Sequence, residues 1–514
     1  MHTVHVRVND AATSKPTPCR IRFTDAEGRY YAPLGRLTVF STGWYEDAGG
    51  NVQIGDKKYA YIDGKCEIQL PAGLLTVEIS KGFEYKPLRE QTMLTAGKLA
   101  LRFTLERWAD LRADGWYSGD SGVRALAPHG ALLEGAAEDV AVVNLLAEQT
   151  VLRGYDPHDR RGTWNPAVPN IMAFSGQEPA LQCPGCMVVV NTANHANHLG
   201  EVALLNSHRP VFPLDFGSGS SEEAPGWTVA DWCDQCHRKA GLVVAHAFLI
   251  HEHVLIDGRT RICSGELLAD LILGKIDALN IGAVSGDRED ILADWRAVLA
   301  AGFRAPLVGG SAKRSNRQPL GSPRTYAQLQ PAQEFAYKGW IEAVRAGRTF
   351  VTNGPLLSFQ VNDQWPGAVA DLSSADAAVH IRAEARSLWP IDRLEVVCNG
   401  TVVGSANASA SPAHAVVEIE LSLDGPAWIA ASCWGTDDPQ YPEALWAHTS
   451  PVYVQIDGKR LQPNASTSAP LFAWLDHVHN WVMHEAPCRG DQDRQRLAGV
   501  FEAARQELLR RQAL

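Results

Sequence analysis

Four cysteines form two Cys-x-x-Cys pairs, the most chemically specific spacing in the chain. Cys183 and Cys186 flank a Pro-Gly pair, Cys233 and Cys236 flank Asp-Gln, and 46 residues separate the two pairs. Four thiolates spaced in this way can hold a structural zinc ion in tetrahedral geometry. The second pair lies in a helix-like segment, however, so buried free thiols are the alternative interpretation.

Histidines form the second group of residues that could do chemistry. His246 ends an apolar segment, 241–246, that has the pattern of a buried strand. Four more histidines are near it in the sequence: His195, His198, His251 and His253. Imidazole is a common ligand of divalent metals, although buried histidines with a purely structural role are the alternative. A serine nucleophile is not indicated, because residues 217–221 (GSGSS) read as a flexible loop.

The elements that would position these residues alternate between helix and apolar strand. A helix-prone stretch precedes a short apolar run three times: 131–139 before 140–146, 230–240 before 241–246, and 266–274 before 276–281. This order predicts a parallel sheet that is covered by helices on both faces. Ligands and catalytic groups of such folds lie at the C-terminal ends of the strands.

The flanking segments have a different period. Val4, Val6 and Val8 alternate with polar residues, and the same alternation returns at Val452 and Val454, which predicts half-buried antiparallel strands on both sides. A Pro/Ser/Ala-rich link at 461–470 then leads to a helix with one apolar stripe. The predicted units are 1–107 (β-sandwich), 108–355 (α/β domain), 356–460 (β-sandwich) and 461–514 (link and C-terminal helix).

Composition limits the class of protein. The 514 residues carry a formal net charge of -11, and no stretch supplies the basic face of a nucleic-acid binder. No apolar run approaches the roughly 18 residues of a spanning helix, and the N-terminus shows no signal-peptide pattern. Ten cysteines in so long a chain are not a secreted disulfide framework. We therefore expect a cytoplasmic protein without nucleic-acid or membrane partners, a homo-oligomer that takes a small-molecule substrate or ligand.

Five segments in one order carry a resemblance to a known family. They are residues 115–120 (GWYSGD), 175–178 (SGQE), 234–239 (DQCHRK), 265–278 (GELLADLILGKIDA) and 347–355 (GRTFVTNGP). Over about 110–360 the chain resembles the CehA/McbA-type metallohydrolases, the carbaryl-hydrolase-like branch of the PHP superfamily. The resemblance implies a distorted (β/α) barrel with β-sandwich domains on either side. It also implies divalent metals at the strand ends and hydrolysis of an ester, amide or carbamate.

The chain departs from this family where the first and last metal ligands should be. The family's His-x-His falls on Gly122 and Arg124, and neither can hold a cation. The late Asp/His motif falls on residues 309–314 (GGSAKR), and an expected histidine is Glu201. The resemblance leaves four residues that could still hold one zinc, iron or manganese ion: Glu178, His198, Glu201 and His246. Structural histidines and a salt-bridged Glu178 are the alternative.

Arg124 suggests a second way to supply positive charge. A fixed guanidinium could pair with a substrate carboxylate or a developing oxyanion, with Asp120 and His129 as its neighbours. The alternative is that Arg124 only neutralises Glu178 in an inactive pocket. The late loop contributes three more basic residues that could bind an anionic substrate, unless they form a solvated basic loop: Lys313, Arg317 and Arg324.

Two hypotheses about function follow. In the first, the chain is a divergent metal-dependent hydrolase of a small ester, amide or carbamate, with a reduced metal site. In the second, it is a non-catalytic PHP-like homologue that binds a small anionic ligand or serves as a partner subunit. The count of lost ligands separates the two: the loss of one ligand is tolerable, but the loss of both histidines of His-x-His removes the anchor of a binuclear centre.

Overall fold

The computed structural model describes most of the chain. The described residues are 1–47, 49–149, 168–216, 226–246, 253–254, 260–261, 264–282, 288–374, 378–408, 410–437, 441 and 443–513, with the backbone alone for 253–254, 260–261 and 436–437. No helix in these ranges is both long enough and apolar enough to cross a membrane.

The N-terminal segment forms two sheets around one apolar core. Its strands are β1 (His2–Asp10), β2 (Cys19–Thr24), β3 (Tyr30–Tyr31), β4 (Asn51–Ile54), β5 (Lys57–Ile62), β6 (Lys65–Leu70), β7 (Gly73–Ser80), β8 (Leu88–Leu94) and β9 (Ala100–Leu105). Strand β1 lies between β6 and β9, and a second sheet has the order β4-β5-β2-β7-β8, with β3 on β2. Val4, Val6 and Val8 are buried, as their alternation predicts.

The central segment alternates strands with helices. Its strands are β10 (Trp116–Val123), β11 (Val142–Ala147), β12 (Leu181–Cys183), β13 (Cys186–Ala196), β14 (Gly200–Leu205), β15 (Asp215–Phe216), β16 (Leu242–Ala245), β17 (His253–Val254), β18 (Thr260–Arg261), β19 (Ala278–Asn280), β20 (Leu307–Val308), β21 (Arg324–Gln328) and β22 (Thr349–Thr352). Its helices are α1 (Pro128–Ala137), α2 (Val229–Arg238), α3 (Leu267–Ile272), α4 (Arg288–Ala300) and α5 (Tyr337–Arg345). All three predicted helix–strand pairs are therefore confirmed.

The central sheet is mixed, which corrects the prediction of a parallel sheet. Its strands pair in the order β10-β11-β13-β14-β16-β19-β20, and β14 is antiparallel to both of its neighbours. The reason is local: only three residues join β13 to β14, too few for the crossover that parallel strands require. His198 makes this turn with a φ of 69°.

The sheet curls so that the residues after β20 reach β10, which also pairs with β21. The amide of Ser121 on β10 donates to the carbonyl of Gly309, just after β20, at 3.3 Å, and the amide of Arg124 donates to the carbonyl of Lys313 at 3.0 Å. The amide of Gly309 also donates to Oγ1 of Thr325 on β21 at 2.7 Å. These bonds bring residues from both edges to one end of the curled sheet.

The C-terminal strands extend the same sheet. They are β23 (Leu356–Val361), β24 (Val369–Leu372), β25 (Ala378–Ser387), β26 (Ile391–Cys398), β27 (Thr401–Ala408), β28 (Ala413–Ser422), β29 (Ala427–Asp437), β30 (Ala444–Thr449) and β31 (Val452–Ile456). Strand β22 pairs with β30, so the central and C-terminal strands are hydrogen-bonded to each other. Strands β23, β25 and β28 form a separate sheet over the same apolar core. The predicted boundaries at 107, 355 and 460 remain predictions.

The chain ends in two packed helices, α6 (Ala465–His484) and α7 (Asp491–Gln512), where the sequence predicted a link and one helix. The correction has a physical reason. Asn464 accepts the amides of Ser466 and Thr467, and Thr467 Oγ1 accepts the amide of Asn464, which starts a helix inside the supposed link. The predicted stripe of α7 is buried against the body of the protein, through Phe501, Ala504 and Leu508.

Candidate functional site

A partly buried network of ion pairs occupies one end of the curled sheet. Arg124 follows β10, is 1% exposed, and pairs with Glu148 after β11 and with Glu201 on β14. Arg314 approaches the same two carboxylates, at 3.7 Å from Glu148 and 3.9 Å from Glu201. The Tyr45 hydroxyl donates to Glu148 at 2.9 Å and accepts from Arg314 at 2.9 Å. We call Arg124, Arg314, Glu148 and Glu201 the central ion-pair network.

The charges of this network cancel. Burial would raise the pKa of Glu201, but the guanidinium groups of Arg124 and Arg314 outweigh it and lower that pKa to about 2. Burial lowers the pKa of Arg124, and the carboxylate of Glu201 opposes that change. Two cations therefore face two anions. The alternative in which Arg124 neutralises Glu178 is wrong in its partner, because Glu148 and Glu201 hold the guanidinium.

His246 borders the network and has one unsatisfied ring nitrogen. The amide of Gly282 donates to Asn280 Oδ1 at 2.9 Å, which makes Asn280 Nδ2 the donor to His246 Nδ1 at 3.2 Å. The proton of the neutral imidazole therefore lies on Nε2, which is buried and has no hydrogen-bond partner among the described residues. Burial first, and then the charge of Arg124, lower the pKa of His246 to about 3, so the ring is neutral at pH 7.

The four predicted metal ligands do not come together. Glu201 and His246 both adjoin Arg124, but Glu178 is exposed beyond the turn that begins at Ser175, and no ion pair holds it in the part of the chain that the structure describes. The ring of His198 lies against Trp481 of α6, with ring centroids 5.6 Å apart. Within the described ranges, no group of three or more ligating side chains could hold a metal ion.

The remaining side chains near Arg124 also do not suit a metal. A metal-ligating imidazole normally donates its other N–H to an acceptor, whereas Nδ1 of His246 is itself the acceptor. Glu201 is already paired with Arg124. His195 Nδ1 lies 3.0 Å from Asp215. The divalent ion implied by the family resemblance therefore does not fit the residues described here. His251 and the side chain of His253 lie outside the described part of the chain.

Asp120 accepts hydrogen bonds from loop residues rather than facing a ligand. It is fully buried, and its carboxylate accepts from Ser311 N at 3.0 Å, Ser311 Oγ at 2.5 Å, Gly321 N at 2.8 Å and Gly122 N at 3.1 Å. Burial raises its pKa, although these donors oppose the change. Asp120 thus fixes the loop after β20 against β10. His129, its predicted companion, is exposed on α1 and makes no hydrogen bond or ion pair with Arg124 among the described residues.

The predicted basic loop is mostly internal. Lys313 is fully buried, 2.8 Å from Asp47 and 3.2 Å from Glu134. Arg324 is also fully buried; it donates to the carbonyl of Gly321 at 2.6 Å and lies 3.9 Å from the centre of the Phe83 ring. Neither residue forms a solvated loop or meets a ligand from solvent. Arg317 alone of the three predicted anion-binding residues is exposed.

The four cysteines do not form a zinc site. Cys183 and Cys186 face each other across the turn between β12 and β13. Cys233 and Cys236 are buried on α2 in a different apolar core from that of Cys186. The two pairs are therefore not brought together, and no metal-holding group among the described residues includes them.

Sequence reasoning missed a cavity between the β13–β14 turn and the C-terminal helices. It has a volume of about 100 Å³ and is lined by His198, Phe216, Trp227, Trp481 and Leu497, among others. We call it the aromatic cavity. No local pattern could have predicted it, because its walls meet only when α6 and α7 pack on the central segment.

Comparisons with known proteins give only distant similarities. No protein-family model matches the chain, and no curated protein matches it. One similar solved structure is a two-domain protein from Bacteroides vulgatus ATCC 8482 that contains a predicted PHP-like metal-dependent phosphoesterase. It is 11% identical over 66% of this chain and 95% of that one, with a TM-score of 0.33. Another is the lesion-specific endonuclease PfuEndoQ from Pyrococcus furiosus, 12% identical over 45% of this chain and 56% of that one, with a TM-score of 0.26.

The similar structures are thus of PHP-like and nuclease type, while the chain itself is a mixed α/β protein with several sheets. TM-scores this low assign no activity to this chain. The narrower resemblance to the CehA/McbA-type metallohydrolases stays a prediction from the five sequence segments.

Proposed function

We propose that this chain is a non-catalytic PHP-like homologue that binds a small organic ligand, and that the central ion-pair network replaces the metal centre. One observation carries the proposal: Arg124, at the second position of the family's His-x-His, is buried between two carboxylates. A metal in this place would neutralise Glu148 and Glu201. Here two guanidinium groups neutralise them.

The network also resists a metal on energetic grounds. A cation that took Glu201 would have to displace Arg124, which is 1% exposed. Breaking a buried ion pair by removing one partner costs about 3–5 kcal/mol, because the other charge stays buried. In return, the metal ion would gain only the carboxylate of Glu201 and the imidazole of His246, whose Nε2 carries a proton and so cannot ligate it.

We place the ligand in the aromatic cavity. Its volume of about 100 Å³ limits the ligand to a small one. Two indoles, a phenyl ring and an imidazole supply flat apolar walls, which favour a planar ligand. The cavity and the network are close in sequence, because His198, which lines the cavity, is three residues before Glu201. This differs from the predicted anionic ligand of Arg124, whose charge is already balanced.

The first experiment is the metal content of purified, tag-free protein by plasma mass spectrometry, before any metal is added. We expect far less than one equivalent of zinc, iron or manganese per chain, and no change in His246→Ala. A full equivalent that disappears in His246→Ala or Glu178→Ala would overturn the proposal. Arg317→Ala, at an exposed arginine, is the matched control.

A divergent metal-dependent hydrolase of a small ester, amide or carbamate is the second candidate. The unpartnered Nε2 of His246, a residue whose amide donates to the carbonyl of Glu201 at 3.0 Å, favours it, because such a nitrogen can bind a ligand once the ring changes tautomer. This candidate requires hydrolysis of model esters, amides or carbamates that depends on added metal and is lost in His246→Ala. Hydrolysis that persists in that variant would exclude His246 as the ligand.

A cytoplasmic location, a homo-oligomeric state and the absence of nucleic-acid and membrane partners remain proposals. A role as a partner subunit is compatible with the same network. Sedimentation of the purified chain, alone and after pull-down from its own cell extract, would test the homo-oligomeric state and the role as a partner subunit directly.

A further inference from the structure

Two cysteines flank the two-residue turn between β12 and β13. Cys183 and Cys186 are opposed in the antiparallel register, with Pro184 and Gly185 between them. The ends of such a four-residue turn lie within about 7 Å, and disulfides form at Cα separations of about 4.4–6.8 Å. Both cysteines are free in this structure, and their opposed register places them within reach of a disulfide.

The surroundings of the two thiols differ. Cys183 is half-buried at the turn, whereas Cys186 is 3% exposed and lies beneath Gly135 of α1. A Cβ on Gly135 would lie 3.0 Å from the Cys186 sulfur, so this glycine lets the helix approach the thiol. A partly exposed attacking thiol and a shielded second thiol are the arrangement of a dithiol that closes in two steps.

Positive charge lies close to the turn. Gly185 has a φ of 82°, and a Cβ there would be 2.6 Å from Nη1 of Arg112, so only glycine allows the guanidinium this near. Asp139 holds Arg112 in place at 3.1 Å. The hydrogen bond from Cys186, helped by the charges of Lys81 and Arg112, lowers the pKa of Cys183 to about 7. The thiolate is therefore well populated at neutral pH.

The other described cysteines lack this environment. Burial raises the pKa of Cys66, Cys236 and Cys433 to about 12 and that of Cys398 to about 11. Burial also raises the pKa of Cys488. These thiols are poor nucleophiles at neutral pH, and Cys66 and Cys488, which are only partly buried, provide internal controls.

We propose that Cys183 and Cys186 form a reversible redox site that exchanges with low-molecular-weight disulfides. The Cys183 thiolate attacks one sulfur of the small disulfide, which forms a mixed disulfide and releases one small thiolate. Cys186 then loses its proton and attacks the Cys183 sulfur, which closes the Cys183–Cys186 bond and releases the second. The protein loses two electrons and two protons, and the disulfide becomes two thiols. This site is separate from the central ion-pair network and does not depend on the proposed function.

The test uses the full-length protein and oxidised glutathione at pH 7.5, followed by acid quench, alkylation and mass spectrometry. We expect a Cys183–Cys186 disulfide, a mass decrease of about 2 Da, and full reversal by dithiothreitol. Cys186→Ser should stop at a glutathione adduct on Cys183, whereas Cys183→Ser should give neither product. Cys66→Ser and Cys488→Ser should behave like the wild type.

A second measurement needs no variant. The alkylation rate of Cys183 by iodoacetamide in the wild-type protein should rise through a midpoint near pH 7, well below the midpoints of Cys66 and Cys488. If Cys183 reacts no faster than Cys66 and Cys488 at pH 7.5, or if oxidised glutathione leaves both thiols of the turn reduced, the proposal is wrong.

Discussion

A Cβ added to Gly122 would lie 2.8 Å from Cε1 of His246. Gly122 occupies the first position of the His-x-His expected from the family resemblance. The imidazole of His246, held by Asn280, now lies against it. The missing histidine is therefore more than a lost ligand: the space that a side chain at position 122 would need is already filled.

This close packing predicts that Gly122→Ala destabilises the protein. Overpacking of a well-filled core costs roughly 1–3 kcal/mol, and the ring of His246 cannot move without losing Asn280. Urea unfolding would measure the change in the free energy of unfolding. Gly425→Ala is the control, because no atom lies within 4 Å of its added Cβ. In a His246→Ala background, Gly122→Ala should cost less stability than it does in the wild type. An equal cost in the two backgrounds would refute the contact.

Removal of the central guanidinium should also be costly. Arg124→Met leaves the partly buried carboxylates of Glu148 and Glu201 without their main partner, so we expect a loss of about 3 kcal/mol at pH 7, the lower end of the range for buried pairs. Thermal and urea unfolding would measure it. Arg317→Met, at an exposed arginine, should change stability by less than about 0.5 kcal/mol.

The central ion-pair network also makes the stability of the protein depend on pH in the acid range. The pKa of Glu201 is lowered to about 2 in the folded chain, below its unfolded value of about 4. Its contribution to stability is therefore present above about pH 4 and is lost as the pH falls through about 2. Glu201→Gln should remove this part of the acid sensitivity, and an unchanged acid transition would mean that Arg124 does not govern Glu201.

Some of this architecture follows from the sequence and some does not. Short apolar runs after helix-prone stretches identify β11, β16 and β19, because burial on both faces requires such runs. The β13–β14 turn could not be predicted, because its positive φ is adopted by His198, and a histidine does not indicate such a turn as a glycine would.

The site divides in the same way. Glu148 follows an apolar strand directly, so its position at a strand end could have been predicted from the sequence. Arg314 and Tyr45 join it from loops far away in the chain. Only the closure of the curled sheet and the packing of the N-terminal segment bring them there, and no local pattern encodes that approach.

Two buried carboxyl groups on α3 predict a loss of stability with rising pH. Burial raises the pKa of Glu266 to about 7, and burial together with Glu266 raises that of Asp270 well above its usual value. Both oxygens of Asp270 are buried without a hydrogen-bond partner. The folded chain thus holds these protons more tightly than the unfolded chain, so the stabilisation is full below about pH 4. It is lost as the pH rises through about 7.

Asp270→Asn should flatten this dependence, because the folded chain then holds one titrating carboxyl group fewer. Urea unfolding at pH 5 and pH 8 would compare the variant with the wild type. Asp424→Asn, at an exposed aspartate, should leave the pH dependence as it is. A wild type that is equally stable at both pH values would contradict the prediction.

The aromatic cavity predicts binding of a planar apolar probe. A ligand that binds only the folded state raises its stability by RT ln(1 + [L]/Kd), so millimolar indole should raise the Tm of the wild-type protein. Trp481→Leu removes the wall that faces His198 and should abolish the shift. Trp44→Leu, which removes an exposed indole, should preserve it. If indole raises the Tm of both variants equally, the probe binds elsewhere and the aromatic cavity is not the ligand site. If cyclohexanol raises the Tm as much as indole does, the walls of the cavity select for apolar ligands rather than for flat rings.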